Sequence, residues 1–338
     1  MVADSGVTLP PLVRIRRARF IDSNAGTDCV VSLDRPGTTL AVASRREFDN
    51  RLVSAACDAG ATLAAERVRS LAREGRHWRI ETTNGRSCTT EFVVGADGAN
   101  SFVRRHTATA FRRDQLAVAT GFFAHGTTSD EILLEFTTDP PGYIWSFPRP
   151  DHLAVGICAQ VDAGATSSVL RARTAQWMAS AGLTSNARLE PYSWPIPSLS
   201  ATDLDALAIA GPGYVLTGDA AGLVDPVTRE GIFFALQSAS FAADAIVSGR
   251  EADRARRYQE RVREEIVPEL ARAARLKDAF FRPRFIRLML GALASSERVR
   301  LVMADLLAGA QPYRGLKCRL VRTLEFKLAV RALQSVRD

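Results

Sequence analysis

Residues 217–239, TGDAAGLVDPVTREGIFFALQSA, hold the densest set of residue types able to handle a ligand. An apolar stretch ends at Thr217, and Gly218 lets the backbone turn close to a bound molecule. Asp219 supplies a carboxylate that can accept hydrogen bonds from sugar-type hydroxyls. Ala220, Ala221 and Gly222 keep bulk away from that turn. Pro226 stiffens the loop, and Gly231 allows close approach to a helix that starts near Ile232. The free N–H groups and dipole at such a helix start favour negative charge. A second stretch, FVVGADGANSFVRR over residues 92–105, has the same grammar. Its apolar strand ends in Gly95, Asp97 and Gly98, with Ser101 and Arg104 on the next turn. Arg45, Phe48, Asp49 and Leu52 mark a helix start with a cation on its first turn. In YIWSFP, residues 143–148, strand alternation puts Tyr143, Trp145 and Phe147 on one side as an apolar surface. Taken singly, each has a plainer reading: GADG is also a structural turn, an aromatic strand also packs a core, and a Gly/Asp turn also precedes an ordinary core helix.

These residues need elements to aim them. VRIRRARF and TDCVVSL alternate like exposed strands. SRREFDNRLVSAACDAGA predicts a helix capped by Ser44, with Phe48, Leu52, Val53, Ala56 and Cys57 at helical spacing. Residues 61–94 read as short strands. AVATGFFAH, EILLEF, GYIWSFP and HLAVGICA, separated by GTTSD, TTDPP and RPD, read as antiparallel strands joined by turns. A helix at about 166–182 and a strand near 189–197 follow. LAIAGPGYVLTGDAAG is a strand entering a glycine-bearing turn, and IFFALQSASFAADAIVSG is an apolar helix closed by Gly249. The remainder is helical, punctuated by Pro268, Pro283 and Pro312. The pattern interleaves an α/β nucleotide-binding layer (1–110 and 205–250) with a β-rich insert (111–204) and a helical C-terminal region (251–338).

Composition bounds the function. The 338 residues are 46% hydrophobic and 24% charged, the balance of a soluble globular chain. The formal charge is +7, and residues 251–338 alone hold 20 Lys/Arg against 11 Asp/Glu. That basic tail suits a solvated helical face or contact with anionic lipid. Aromatics are sparse among its cations and no nucleic-acid module appears, so no nucleic-acid partner is expected. Five scattered cysteines and four dispersed histidines form no zinc or disulfide spacing, so no metal is expected. No signal peptide and no membrane-spanning run appear, which predicts a cytoplasmic protein, with any membrane contact peripheral, at the inner face.

Residues 217–239 closely resemble the GD motif of the FAD-dependent hydroxylase and geranylgeranyl reductase superfamily. Residues 92–105 resemble its DG motif, Arg45–Leu52 its R..FD..L helix start, and YIWSFP with Leu153–Gly156 the YxWxFP…VGxG segment of geranylgeranyl reductases. The resemblance covers about residues 13–335. It implies an α/β (α+β) fold, with an FAD-binding Rossmann-like layer and an inserted antiparallel sheet for the substrate. It also implies roles. Asp219 would bind the ribitol of FAD, with Gly218, Ala220, Gly222 and Pro226 shaping the turn. The Gly231–Ile232 backbone would face the pyrimidine edge of the flavin, where negative charge develops on reduction. Asp97 and Gly98 would lie by the pyrophosphate, Arg45 would reach the cofactor, and Tyr143, Trp145 and Phe147 would face a lipid cavity. No catalytic acid is evident.

Family members begin with a βαβ unit bearing GxGxxG, and residues 1–60 contain no such fingerprint. The Rossmann-like layer is therefore expected to be incomplete, and the chain as written is expected to hold FAD poorly. The activity implied is reduction of C=C bonds of an isoprenoid or other hydrophobic substrate, with NAD(P)H or a ferredoxin-type donor as reductant. The alternatives are an FAD-dependent monooxygenase or halogenase-type enzyme, and a flavin-free remnant.

Overall fold

The computed structural model describes residues 7–23, 26–34, 40–184, 187–248 and 250–323. In chain order the first elements are strands β1 (Leu12–Ile15), β2 (Arg17–Asp22), β3 (Thr27–Ser32) and β4 (Leu40–Ala43), then helix α1 (Arg45–Asp58). Strands β5 (Val68–Glu74), β6 (His77–Thr82), β7 (Ser87–Thr90) and β8 (Val93–Gly95) lead to α2 (Phe102–Thr107). Strands β9 (Leu116–His125), β10 (Glu131–Thr138), β11 (Pro141–Pro148) and β12 (His152–Gln160) precede α3 (Ser167–Ser180) and β13 (Arg188–Pro197). Then come α4 (Ala201–Asp205), β14 (Ala210–Gly211), β15 (Tyr214–Leu216), α5 (Gly218–Ala221) and α6 (Ile232–Ser248). The last helices are α7 (Arg254–Glu265), α8 (Val267–Phe280), α9 (Pro283–Ser295), α10 (Glu297–Leu307) and α11 (Leu316–Arg322). The expected helix closure at Gly249, and the ends of the chain at 1–6 and 324–338, lie outside the described residues.

The chain forms two compact units. The first takes 54–116 and 195–275. In it β15 pairs in parallel with β8, matching Leu216 to Gly95, while β14 pairs antiparallel with β15. Strands β5, β6 and β7 make a separate antiparallel sheet. The core is α6, α7 and α8 packed against β15, through Phe241, Ala245, Tyr258, Val262, Ile266 and Leu270. Tyr258 is fully buried, and its hydroxyl donates to the Leu216 carbonyl at 2.6 Å. Burial pushes that phenol's pKa upward, so it remains a donor.

The second unit takes 7–53, 117–194 and 276–323 among the described residues. Its seven-stranded sheet has the order β13-β9-β12-β11-β10-β2-β3. Strands β10, β11 and β12 are joined as antiparallel hairpins at the TTDPP and RPD turns, whereas β9 pairs antiparallel with β12, so the GTTSD segment leads to β10 across the sheet and closes no hairpin. Strand β2 adds in parallel to β10, placing Phe20 beside Leu134. One face of the sheet packs Ile144, Val155 and Ile157 against Leu170, Trp177 and Met178 of α3. Proline punctuation falls as expected at the C-terminal helices: Pro283 is the first residue of α9, where a missing N–H costs nothing. The predicted apolar stripe of α1 is not a core face, because none of that helix's residues is buried.

Candidate functional site

Parallel pairing of β8 with β15 sets the DG and GD turns side by side at the carboxyl ends of two strands. Thr217 continues the ladder by donating its N–H to the Gly95 carbonyl at 2.9 Å. In open α/β layers this end of the strands is where ligands approach. Gly95 is needed for packing: a Cβ there would sit 2.7 Å from Leu216 and 2.9 Å from Val103.

Asp97 acts on its own chain. Its carboxylate accepts the Ser101 hydroxyl at 2.5 Å and the N–H groups of Phe102 at 2.6 Å and Val103 at 3.1 Å. Ser101 in turn accepts the Arg104 N–H at 2.8 Å, so the two side chains cap α2 together. Gly98 adopts φ +79° with open space where a Cβ would be.

Arg104, on α2, joins the two motifs. Its guanidinium donates to the Thr109 carbonyl at 2.8 Å and to the Ala220 carbonyl at 3.1 Å, and lies 3.9 Å over the Phe111 ring. Burial lowers its pKa to about 10. The DG sequence named Arg104 without a role; its task is to hold the GD turn.

The GD turn is built from internally satisfied backbone. The Gly218 N–H donates to the Ser238 hydroxyl at 3.0 Å, and Gly222 closes α5 in the left-handed conformation at φ +82°. Ala220 and Pro226 are buried, while Asp219 is half-buried. A Cβ on Gly231 would meet the Asp219 Oδ1 at 3.1 Å and Val224 at 3.2 Å, so the carboxylate lies directly against the start of α6. Asp225, which sequence reasoning missed, is buried and shapes the loop by accepting the N–H groups of Val227 at 2.7 Å and Thr228 at 3.0 Å. Its signal was the Asp-Pro pair, a turn-forming dipeptide. Arg229 takes φ +62°, a conformation that favours glycine, and its guanidinium bonds the Ser198 hydroxyl.

At the start of α6, the Glu230 carboxylate accepts the Phe233 N–H at 2.9 Å. That acceptor was not anticipated, and it already uses one of the helix's orphan donors. Among the described residues, no hydrogen bond engages the N–H groups of Gly231 and Ile232. The arrangement is a half-buried carboxylate beside two open N–H donors and the positive end of a 17-residue helix. It can accept hydroxyl hydrogen bonds and favour an anionic edge.

The structure thus gathers Asp97, Gly98, Gly218, Asp219, Ala220, Gly222, Pro226, Gly231 and Ile232 into one unit. The other four predicted residues belong to the second unit. Arg45 there is ion-paired with Asp49 at 3.1 Å, one turn along α1. Tyr143 and Trp145 are buried and Phe147 half-buried, with ring centroids 5.5 Å and 6.1 Å apart along the row. Gly156 lies opposite Trp145; a Cβ there would be 2.3 Å from the Tyr192 hydroxyl and 2.8 Å from Trp145. That gap lets both rings lie across the strand. The histidines are less dispersed in space than in sequence. His125 and His152 are cross-strand partners, and with Asp151 their ligand atoms fall within 4.8 Å of one another.

Among the described residues, no helix is long and apolar enough to cross a membrane.

No family model matches the chain. A digeranylgeranylglycerophospholipid reductase from Methanothrix thermoacetophila is 31% identical over 284 residues, covering 76% of this chain and 69% of that protein. A menaquinone reductase from Mycolicibacterium smegmatis is 25% identical over 296 residues, covering 81% and 71%. Among solved structures, a geranylgeranyl bacteriochlorophyll reductase-like protein from Thermoplasma acidophilum superposes with a TM-score of 0.77. It is 19% identical, and the match covers 95% of this chain and 86% of that one. The strand-end pairing of the DG and GD turns is therefore set in a fold and a sequence that agree: the chain belongs to the geranylgeranyl reductase family of FAD-dependent oxidoreductases.

Proposed function

We propose that this chain reduces C=C bonds of an isoprenoid substrate with FAD. The observation that carries the reading is the Asp219 carboxylate against Gly231, beside the open N–H groups at the start of α6. These residues fit the ribitol and isoalloxazine end of FAD, since a carboxylate suits sugar hydroxyls and a helix start suits an anionic ring edge. FAD, when bound and reduced, supplies hydride chemistry. The chain's part is to bind and aim. Asp219 would accept from the ribitol, Gly231 and Ile232 would donate to the pyrimidine edge, and Arg104 keeps the turn in place through the Ala220 carbonyl. Asp97 acts at one remove, by capping the helix that carries Arg104. Tyr143, Trp145 and Phe147 offer the apolar row along which an isoprenoid chain can lie. The relatives' names speak for a polyprenyl substrate: one acts on a digeranylgeranylglycerophospholipid and another on a menaquinone.

The reductant in this reading is NAD(P)H or a ferredoxin-type protein. The basic C-terminal region, 251–338, would rest on anionic lipid at the inner membrane face, from which the substrate is drawn.

The test is product mass. Protein supplied with FAD, dithionite and a geranylgeranyl lipid should add two hydrogens per double bond reduced. Hydroxylated or halogenated products under oxygen, with no saturation, would replace this reading with an oxygenase.

A further inference from the structure

Three neighbouring strands of the second unit bring two histidines and two carboxylates together near their ends. Strand order places β9 between β13 and β12. His125 ends β9, His152 begins β12 opposite it, Asp151 precedes His152, and Glu190 lies on β13. All four belong to the second unit, and the DG and GD turns to the first. Cross-strand partners share a face of the sheet, so the two imidazoles stand side by side, with ring centroids 5.2 Å apart. The expectation of no metal rested on spacing along the chain, and the sheet closes that spacing.

The fold holds these rings in place. The Arg149 N–H donates to the His152 carbonyl at 2.7 Å, closing the β11–β12 hairpin, and the Gly126 N–H donates to the Asp151 carbonyl at 3.3 Å. Phe123 meets the His152 ring edge to face at 5.4 Å and stacks on Tyr192 at 4.6 Å. The imidazoles are partly buried, while the Asp151 side chain is 74% exposed and can rotate.

One ligand atom from each of His125, Asp151 and His152 falls within 4.8 Å of the other two. Ligands about 2.0 Å from a tetrahedral zinc ion stand about 3.3 Å apart, so the widest gap must close by about 1.5 Å at most. The Asp151 Oδ1 is 2.7 Å from the His152 Nδ1, a contact that widens slightly when both hold one ion. Glu190 bonds the His125 Nε2 at 3.0 Å, the carboxylate partner by which a ligating imidazole is oriented. Two imidazoles with a carboxylate and no thiolate suit a divalent first-row transition ion, whereas magnesium and calcium prefer sets made of oxygen alone. Three protein ligands leave a fourth position for water.

We propose that His125, His152 and Asp151 bind a zinc ion, with Glu190 orienting His125. The ion ties β9 to β12 at this end of the sheet, and its binding is independent of FAD.

The experiment titrates the full chain, first stripped of metal by a chelator, with zinc chloride followed by calorimetry and with cobalt(II) followed by visible absorption. The wild type should bind one zinc ion, show the cobalt bands of a four-coordinate nitrogen and oxygen site, and melt at a higher temperature in saturating zinc. His152→Asn should weaken zinc by more than about 100-fold, and Asp151→Asn and Glu190→Ala by about 10- to 100-fold. In chelator all three variants should melt close to the wild type. Should the partly buried His152 variant fail to fold, the two exposed carboxylate variants carry the test. A cobalt spectrum with thiolate charge-transfer bands would put the ion on cysteine and overturn the assignment. Zinc binding unmoved by the variants, or no binding at millimolar zinc, overturns it as well.

Discussion

Arg104 is buried and Arg149 half-exposed, yet burial draws the pKa of each to about 10, and they are built into their units in opposite ways. Arg104 spends its donors on the Thr109 and Ala220 carbonyls and lies over Phe111. Arg149 has no acceptor among the described residues. A buried cation with its donors used is a brace, whose removal orphans carbonyls. One without acceptors carries a desolvation cost that no acceptor in its unit offsets. The contrast separates a cation built into a turn from one the fold leaves without a partner.

The sharpest way to break this comparison is to delete both charges. Arg104→Met should lower unfolding free energy by about 3–5 kcal/mol, because two carbonyls lose a charged donor. Arg149→Met should leave stability within about 1 kcal/mol of wild type, or raise it. Urea unfolding of the two variants checks both. Equal losses would mean that Arg149 is structural after all.

Gly156→Ala probes the crowded side of the aromatic row. Its Cβ would lie 2.3 Å from the Tyr192 hydroxyl, so one ring must move. The expected cost is about 1–3 kcal/mol with altered tryptophan fluorescence, since overpacked sites shift side chains.

Asp203 extends the comparison to a carboxylate whose partners are all present. Burial pushes its pKa up, but hydrogen bonds from Ser200, Gln115 and Arg112 outweigh this and bring it to about 2. A depressed carboxylate contributes stability that is present above its unfolded value and lost on acidification. On the order of 2 kcal/mol should therefore fade between about pH 4 and pH 2. In Asp203→Asn, urea midpoints measured across that range should lack this component.

A modest loss is expected at Tyr258. Tyr258→Phe leaves the buried Leu216 carbonyl without its donor and should cost about 1–2 kcal/mol in the same unfolding assay.

Local signals carried much of the fold. Turn dipeptides and alternation marked β9 to β12, and proline marked the start of α9, because those depend on neighbouring residues. The parallel addition of β2 to β10 joins residues over a hundred positions apart, and nothing local announces it. The stripe on α1 misled because helical spacing reports amphipathicity and not whether a partner covers it. At the candidate site, Asp219 and Gly231 were legible as a pair, since a carboxylate and a glycine flank one loop. Asp225 and Glu230 were not: their acceptors serve backbone donors that only the folded loop presents. Arg149 was invisible for a different reason. An arginine's lack of partners is a property of three dimensions.

The most direct test of the central claim is a flavin titration followed by fluorescence, comparing wild type with Asp219→Ala. The account predicts weak but saturable FAD binding that weakens further by about tenfold on losing the carboxylate, the size of a charge-assisted hydrogen bond. Binding that is absent in the wild type, or identical in the two proteins, would contradict it.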